Sequence, residues 1–163
     1  MKISRRLMMI GAALGLAGCA TKFKAYDGPQ VTRIEVFKGA RVLQLIGGKT
    51  LLKKYNFELG FAPTGHKQIE GDGRTPEGAY RIDRLNPNSR FHLSVGISYP
   101  NAKDRAVAKS MGKSPGGDIF IHGTPDGYVG KDDWTWGCIA VTNAEMEEIY
   151  AMVTIGTVIY IYP

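Results

Sequence analysis

Cysteine is nearly absent from this chain, with two residues at positions 19 and 138. Two thiols exclude a disulfide-framework protein. Histidine is scarce too: His66, His92 and His122 lie far apart and form no HExxH pattern, so no zinc-ligand spacing is present. No GxxxxGKS/T loop occurs, and the GxG at 71–73 is not a phosphate cradle. The longest apolar stretch, LMMIGAALGLAG (7–18), falls short of the roughly 20 residues that a spanning helix needs. There is no run of lysine or arginine, no recognition-helix pattern, no internal repeat and no low-complexity run. What is present is an ordinary globular composition. The chain is 44% apolar and 22% charged, with 21 glycines and 8 prolines to mark many turns. Its 163 residues suffice for one domain with its own core.

The N-terminus reads as an export signal. MKISRR is a short basic region, followed by the apolar stretch. Leu16-Ala17-Gly18-Cys19 resembles the lipobox of bacterial lipoprotein signals, in which the cysteine becomes the lipidated first residue. That resemblance implies a signal over 1–18, lipidation at Cys19 and a periplasmic protein. Ala20 stands where an inner-membrane retention signal often has Asp, which favours outer-membrane attachment. Arg5-Arg6 hints at twin-arginine export, but the rest of that pattern is incomplete. Removing Lys2, Arg5 and Arg6 takes the basic residues from 21 to 18 against 15 acidic, a charge of +3, which gives no basis for nucleic-acid binding. Residues 19–30 read as a tether, broken at Gly28-Pro29. If Cys19 carries lipid, Cys138 has no partner in the chain. A lone thiol in an oxidising compartment is either buried and inert or a nucleophile.

The body, 31–163, reads as one mainly β domain. VTRIEVF (31–37) and RVLQLI (41–46) around Lys38-Gly39 predict a hairpin. KYNFELG (54–60), AYRIDRL (79–85), FHLSVGISY (91–99), DIFIHG (118–123) and TVIYIYP (157–163) predict further strands, the last apolar on both faces and therefore central. Residues 62–78 form a polar, turn-rich loop, and 102–111 allow one or two helical turns. Thr142 and Glu145 fit a capping box, with Met146, Ile149, Tyr150 and Val153 as the apolar stripe of one main helix. The fold class is a sandwich or barrel-like mixed sheet with that helix after Cys138.

The chemistry centres on HGTPDGYVGKDDWTWGC (122–138). An apolar strand ends in His122, and a polar loop returns Cys138 just before the capped helix. A thiol and an imidazole are the minimum parts of a nucleophile and its base. Backbone N–H groups at Gly137 and Cys138 are candidates for an oxyanion hole. Carboxylate pairs such as Asp132-Asp133 and Glu70/Asp72 are common in any polar loop and carry less weight.

These residues resemble the signature of the YkuD-type L,D-transpeptidases: a histidine, a loop, then Gly-Cys. His122, Thr135, Gly137 and Cys138 match it, and IEGDGRTPEGAYRI (69–82) is similar to the family's "GD..TP.G.Y.I" segment. The resemblance covers 31–163. Two departures stand out: Trp136 replaces the usual histidine before Gly-Cys, and Ala140 replaces the usual arginine two places after the cysteine. DWTWGCIA is similar to a Gram-negative branch with a DWTxGCIA motif.

The resemblance implies attack by Cys138 on the diaminopimelate carbonyl of a peptidoglycan stem tetrapeptide, release of D-Ala, and transfer of the acyl group to an amine. The acceptor is another stem or a lysine of an outer-membrane lipoprotein. His122 serves as base, with the Gly123 carbonyl orienting it. Trp136, Thr135, Asp133, Tyr80 and Arg74 are candidates for shaping the substrate groove. Water as acceptor makes the same site a carboxypeptidase or amide hydrolase. A non-catalytic peptidoglycan-binding lipoprotein and a zinc hydrolase are the other readings. No cofactor, no metal and a monomer are expected.

Overall fold

The computed structural model describes residues 21–163, so the proposed signal and Cys19 lie outside the described residues. One eight-stranded mixed sheet organises the domain. Its strands are β1 (Arg33–Phe37), β2 (Val42–Gly47), β3 (Thr50–Asn56), β4 (Gly78–Asn86), β5 (Ser94–Ile97), β6 (Phe120–His122), β7 (Ile139–Ala140) and β8 (Val158–Tyr162). The spatial order is β3-β2-β1-β8-β4-β5-β6-β7. β1 pairs with β8 and β6 with β7 in parallel; the other neighbours are antiparallel.

The sheet curls towards closure. Beyond β3, Glu58 exchanges backbone hydrogen bonds with Ala140 of β7 at 2.8 and 2.9 Å. The concave side holds the core, including Ile34, Leu43, Leu45, Leu59, Ile82, Ile121, Ile139 and Ile159. Helix α2 (Asn143–Met152) covers it with Met146, Ile149 and Met152, in agreement with the apolar stripe. Its capping box forms: Glu145 N–H donates to Thr142 Oγ1 at 3.3 Å, and Thr142 N–H to Glu145 Oε2 at 2.9 Å. β8 is central, between β1 and β4. Its inner residues Ile159 and Ile161 are buried, while Tyr162 on the outer face stacks on Phe37 at 5.1 Å.

Three expectations need adjustment. The strand after Gly48 spans 50–56 rather than 54–60. Tyr55, Phe57 and Leu59 are all buried, so the alternation was real, but past Asn56 the backbone makes only single bridges to Ala140 and Thr135. β5 starts at Ser94 rather than at Phe91, because His92 has φ +71 and Leu93 N–H turns back to the Phe91 carbonyl. Residues 102–110 form a full helix, α1, capped by Asn101 and Asp104. Residues 21–30 of the expected tether form no helix or strand and touch the domain at two lysines. Lys22 Nζ donates to the Pro87 and His92 carbonyls at 2.6 and 3.0 Å, and Lys24 Nζ lies 3.3 Å from Glu147. No helix among the described residues is long and apolar enough to cross a membrane.

Candidate active site

β6 and β7 are parallel, with Ile121 opposite Ile139 and His122 opposite Ala140. A parallel pair requires a long crossover, which explains the gap between His122 and Cys138. The same register sets Cys138 level with Phe120. Side chains alternate faces along a strand, so Phe120, His122 and Cys138 share one face. His122 and Cys138 both line a cavity of about 640 Å³, together with Arg90, Phe91, Ser94 and Asp118.

His122 is 2% exposed. Its Nδ1 lies 2.7 Å from the Gly123 carbonyl oxygen, an acceptor, so Nδ1 carries the proton and Nε2 is free to take one. Phe91 stacks on the ring at 4.5 Å, and Trp134 leans against it at 5.5 Å. Burial holds the imidazole below its ordinary pKa, partly offset by the Gly123 carbonyl. It is therefore neutral near pH 7. Gly123 must be glycine, because a Cβ there would meet Asn143 Oδ1 and stand 2.9 Å from the Phe91 carbonyl.

Burial pushes the Cys138 thiol up to about 11, with the Phe120 N–H acting in the opposite direction. The thiol donates to the Asp118 carbonyl at 3.5 Å. Asp118 reaches this position with φ +54, a conformation that is strained for a non-glycine residue. The resting pair is thus a neutral thiol and a neutral imidazole.

The turn carrying Cys138 is fastened from several sides. Thr135 N–H donates to the Leu59 carbonyl at 3.0 Å, and Thr135 Oγ1 to the Cys138 carbonyl at 2.8 Å. Gly137 N–H donates to Thr135 Oγ1 at 3.1 Å, and Thr75 Oγ1 to the Gly137 carbonyl at 2.8 Å. Gly137 has φ +116, and a Cβ there would strike the Arg74 carbonyl, so only glycine fits. The loop supplying Thr75 is itself rigid. The Asp72 carboxylate accepts the Gln68, Ile69 and Arg74 N–H groups at 2.8, 3.1 and 3.1 Å, and Lys67 Nζ at 2.9 Å. Burial works against its charge, but these donors hold it below the usual carboxylate range.

The expected groove residues divide. Trp136 is 70% exposed, packs edge-on against Phe61 at 5.0 Å, and lines with Cys138 a second cavity of about 450 Å³. The others face elsewhere. Tyr80 is buried and donates to Asp104 Oδ2 at 2.9 Å. Asp133 forms a two-pronged ion pair with Arg41 and accepts the Leu59 N–H at 3.3 Å. Thr135 is buried and spends its hydroxyl on the turn. Arg74 contributes its carbonyl beneath Gly137 and does not line either cavity around Cys138. The Gly137 N–H is already engaged by Thr135. Among the described residues no acceptor meets the Cys138 N–H, which leaves that amide free to donate.

Sequence reasoning missed Thr75, Asp118, Phe91 and Trp134. Thr75 and Trp134 lay inside quoted motifs, while Asp118 and Phe91 carried no separate signal. His66 and His92 are accounted for by structure: His66 Nε2 meets Asp104 at 3.1 Å, and His92 Nε2 meets Glu147 at 2.9 Å. No group of three or more potential metal ligands occurs among the described residues.

Known proteins resemble this chain in sequence and in fold. The YkuD family of L,D-transpeptidase catalytic domains matches residues 31–161. A protein of Escherichia coli K12, YafK, provisionally named an L,D-transpeptidase, is 35% identical over 161 residues. The match covers 95% of this chain and 60% of YafK, so the chain spans less than two thirds of that relative. Among solved structures, the helical cell shape determining protein Pgp2 of Campylobacter jejuni superposes with a TM-score of 0.65 at 27% identity, over 88% of this chain and 51% of Pgp2. An L,D-transpeptidase from Mycobacterium smegmatis shares the fold at 15% identity and a TM-score of 0.54, over 82% of this chain and 59% of that one.

Proposed function

The chain belongs to the YkuD family of L,D-transpeptidase catalytic domains, and on that premise we propose that it is a cysteine-dependent acyltransferase acting on peptidoglycan stem tetrapeptides. His122 Nε2 takes the Cys138 proton as sulfur bonds to the diaminopimelate carbonyl carbon. The oxyanion forms against the Cys138 N–H. The carbon–nitrogen bond to D-Ala breaks, and the imidazolium returns its proton to the leaving amine. An acceptor amine then loses a proton to His122, attacks the thioester and releases the thiol. The acceptor is a second stem or a lipoprotein lysine. The export reading completes the proposal: residues 1–18 are a signal, Cys19 is lipidated, and the domain from 31 works in the periplasm at the outer membrane. The DWTWGCIA segment supports a place in the Gram-negative branch.

The observation that carries this reading is the shared cavity of His122 and Cys138, with Nδ1 tied to Gly123 and Nε2 left unprotonated. Cys138 also borders the cavity beside Trp136. Two openings meeting at one thiol suit a donor on one side and an acceptor on the other. Water entering the same openings makes hydrolysis the second reading.

The test is incubation of the protein with purified disaccharide-tetrapeptide and mass analysis of the products. Loss of D-Ala with new cross-links supports transfer, and tripeptide alone supports hydrolysis. Protein-linked muropeptides released from whole sacculi identify a lipoprotein link as the substrate. If neither stems nor sacculi change, the proposal is wrong.

A further inference from the structure

Arg90 is an exposed residue that lines the cavity holding His122 and Cys138. Among the described residues it has no hydrogen bond and no ion pair. Arg84 does not line the cavity but engages two residues that do: it donates to Asp118 at 2.8 Å and lies over the Phe120 ring at 4.6 Å. Asp118, the one carboxylate lining the cavity among the described residues, is thereby paired. β7 adds no cation, since the position opposite His122 is Ala140, which is buried.

The loop that presents Arg90 is ordered without using its side chain. Asn88 N–H donates to Asn86 Oδ1 at 3.1 Å, and Phe91 N–H to Ser89 Oγ at 3.1 Å. Lys22 fastens the loop from outside through the Pro87 and His92 carbonyls. The next residue, Phe91, stacks on the imidazole of His122. Arg90 is thus one residue from a side chain in contact with the catalytic base, and its charge is uncompensated. A planar guanidinium with free donors matches a carboxylate.

We propose that Arg90 is a specificity-determining residue that binds a substrate carboxylate flanking the scissile bond. This rests on reading Cys138 as the nucleophile. In a stem tetrapeptide two carboxylates flank that bond: the terminal carboxylate of D-Ala and the side-chain carboxylate of diaminopimelate. Recognition of the first restricts the enzyme to chain ends; recognition of the second selects the residue whose carbonyl is attacked.

Three tetrapeptides separate these sources: the free acid, the C-terminal amide, and the diaminopimelate side-chain amide. Their binding is measured by calorimetry on the full chain carrying Cys138→Ala, alone and combined with Arg90→Ala, Arg90→Gln or Arg90→Lys. The free acid is expected to bind about tenfold more tightly than one of the amides, the lower end for a charge-assisted contact at an exposed site. The amide that loses affinity names the carboxylate. Arg90→Ala and Arg90→Gln should abolish the preference, while Arg90→Lys keeps part of it. A preference that survives in Arg90→Ala, or a parent chain that binds all three alike or none, overturns the proposal. Turnover is scored separately with Cys138 intact. An Arg90-dependent preference without any product overturns the acyltransferase reading and leaves the carboxylate site standing.

Discussion

The resting state of the thiol makes a sharp prediction. A thiol whose pKa has been pushed up to about 11 has about one thiolate in ten thousand molecules at pH 7, against about one in a hundred for a thiol of pKa 9. Only the thiolate is alkylated. A more basic thiolate is intrinsically the better nucleophile, with a Brønsted slope of about 0.4–0.5, so roughly tenfold of that hundredfold deficit returns. Alkylation of Cys138 by iodoacetamide should therefore be about tenfold slower at pH 7 than that of an exposed cysteine. It should rise about tenfold per pH unit from 7 to 10 without a plateau. Mass mapping of the Cys138 peptide provides the assay and keeps Cys19 out of the measurement. His122→Ala should change this profile little, since the resting imidazole is neutral, yet lower turnover by about 10²–10⁴. A rate already level below pH 8 that collapses in His122→Ala would establish a thiolate–imidazolium pair and refute the reasoning.

Thr75→Val removes the donor to the buried Gly137 carbonyl; a loss of about 1–3 kcal/mol in urea unfolding is expected, with Thr75→Ser close to the parent. Gly123→Ala forces a Cβ towards Asn143 and the Phe91 carbonyl, and should cost about 1–3 kcal/mol, read as a melting temperature lower by about 2–4 °C per kcal/mol. Asp133→Ala strips Arg41 and the Leu59 N–H of their partner; limited proteolysis should then cut the 126–134 segment faster, while Asp132→Ala leaves it unchanged. Below the depressed pKa of His122 the base is protonated and turnover should fall with decreasing pH, so the acid limb of kcat/KM should lie below pH 6.5, the ordinary value for histidine.

Much of the fold was legible because its signals were local. The Thr142/Glu145 box and the spacing of Met146 and Ile149 marked α2, and the two apolar faces of 157–163 marked a central strand. Helix α1 was legible only as one or two turns because its stripe is polar: Asp104 is buried, but as an acceptor for Tyr80 and His66 rather than as an apolar contact. The stretch at 91–92 misled because Phe91 continues the alternation in sequence while His92 turns the backbone away. The convergence of His122 and Cys138 on one cavity was legible from residue type and spacing, but the direction of their neighbours was not. Asp133 looked available until Arg41, distant in sequence, took its carboxylate. Tyr80 could have been recognised as core, since it alternates with Ile82 on β4 and both are buried. The bonds of Thr135 lie within its own turn, where pattern carries no information about which way a hydroxyl points.

The central claim is that Cys138 becomes acylated by a stem peptide. Acid quenching of the protein during turnover of disaccharide-tetrapeptide, followed by peptide mapping, should find a thioester on Cys138 whose mass equals the disaccharide-tripeptide acyl group. It should be absent from Cys138→Ala, with turnover abolished. D-Ala release that persists in Cys138→Ala, or an adduct on any other residue, would contradict the account.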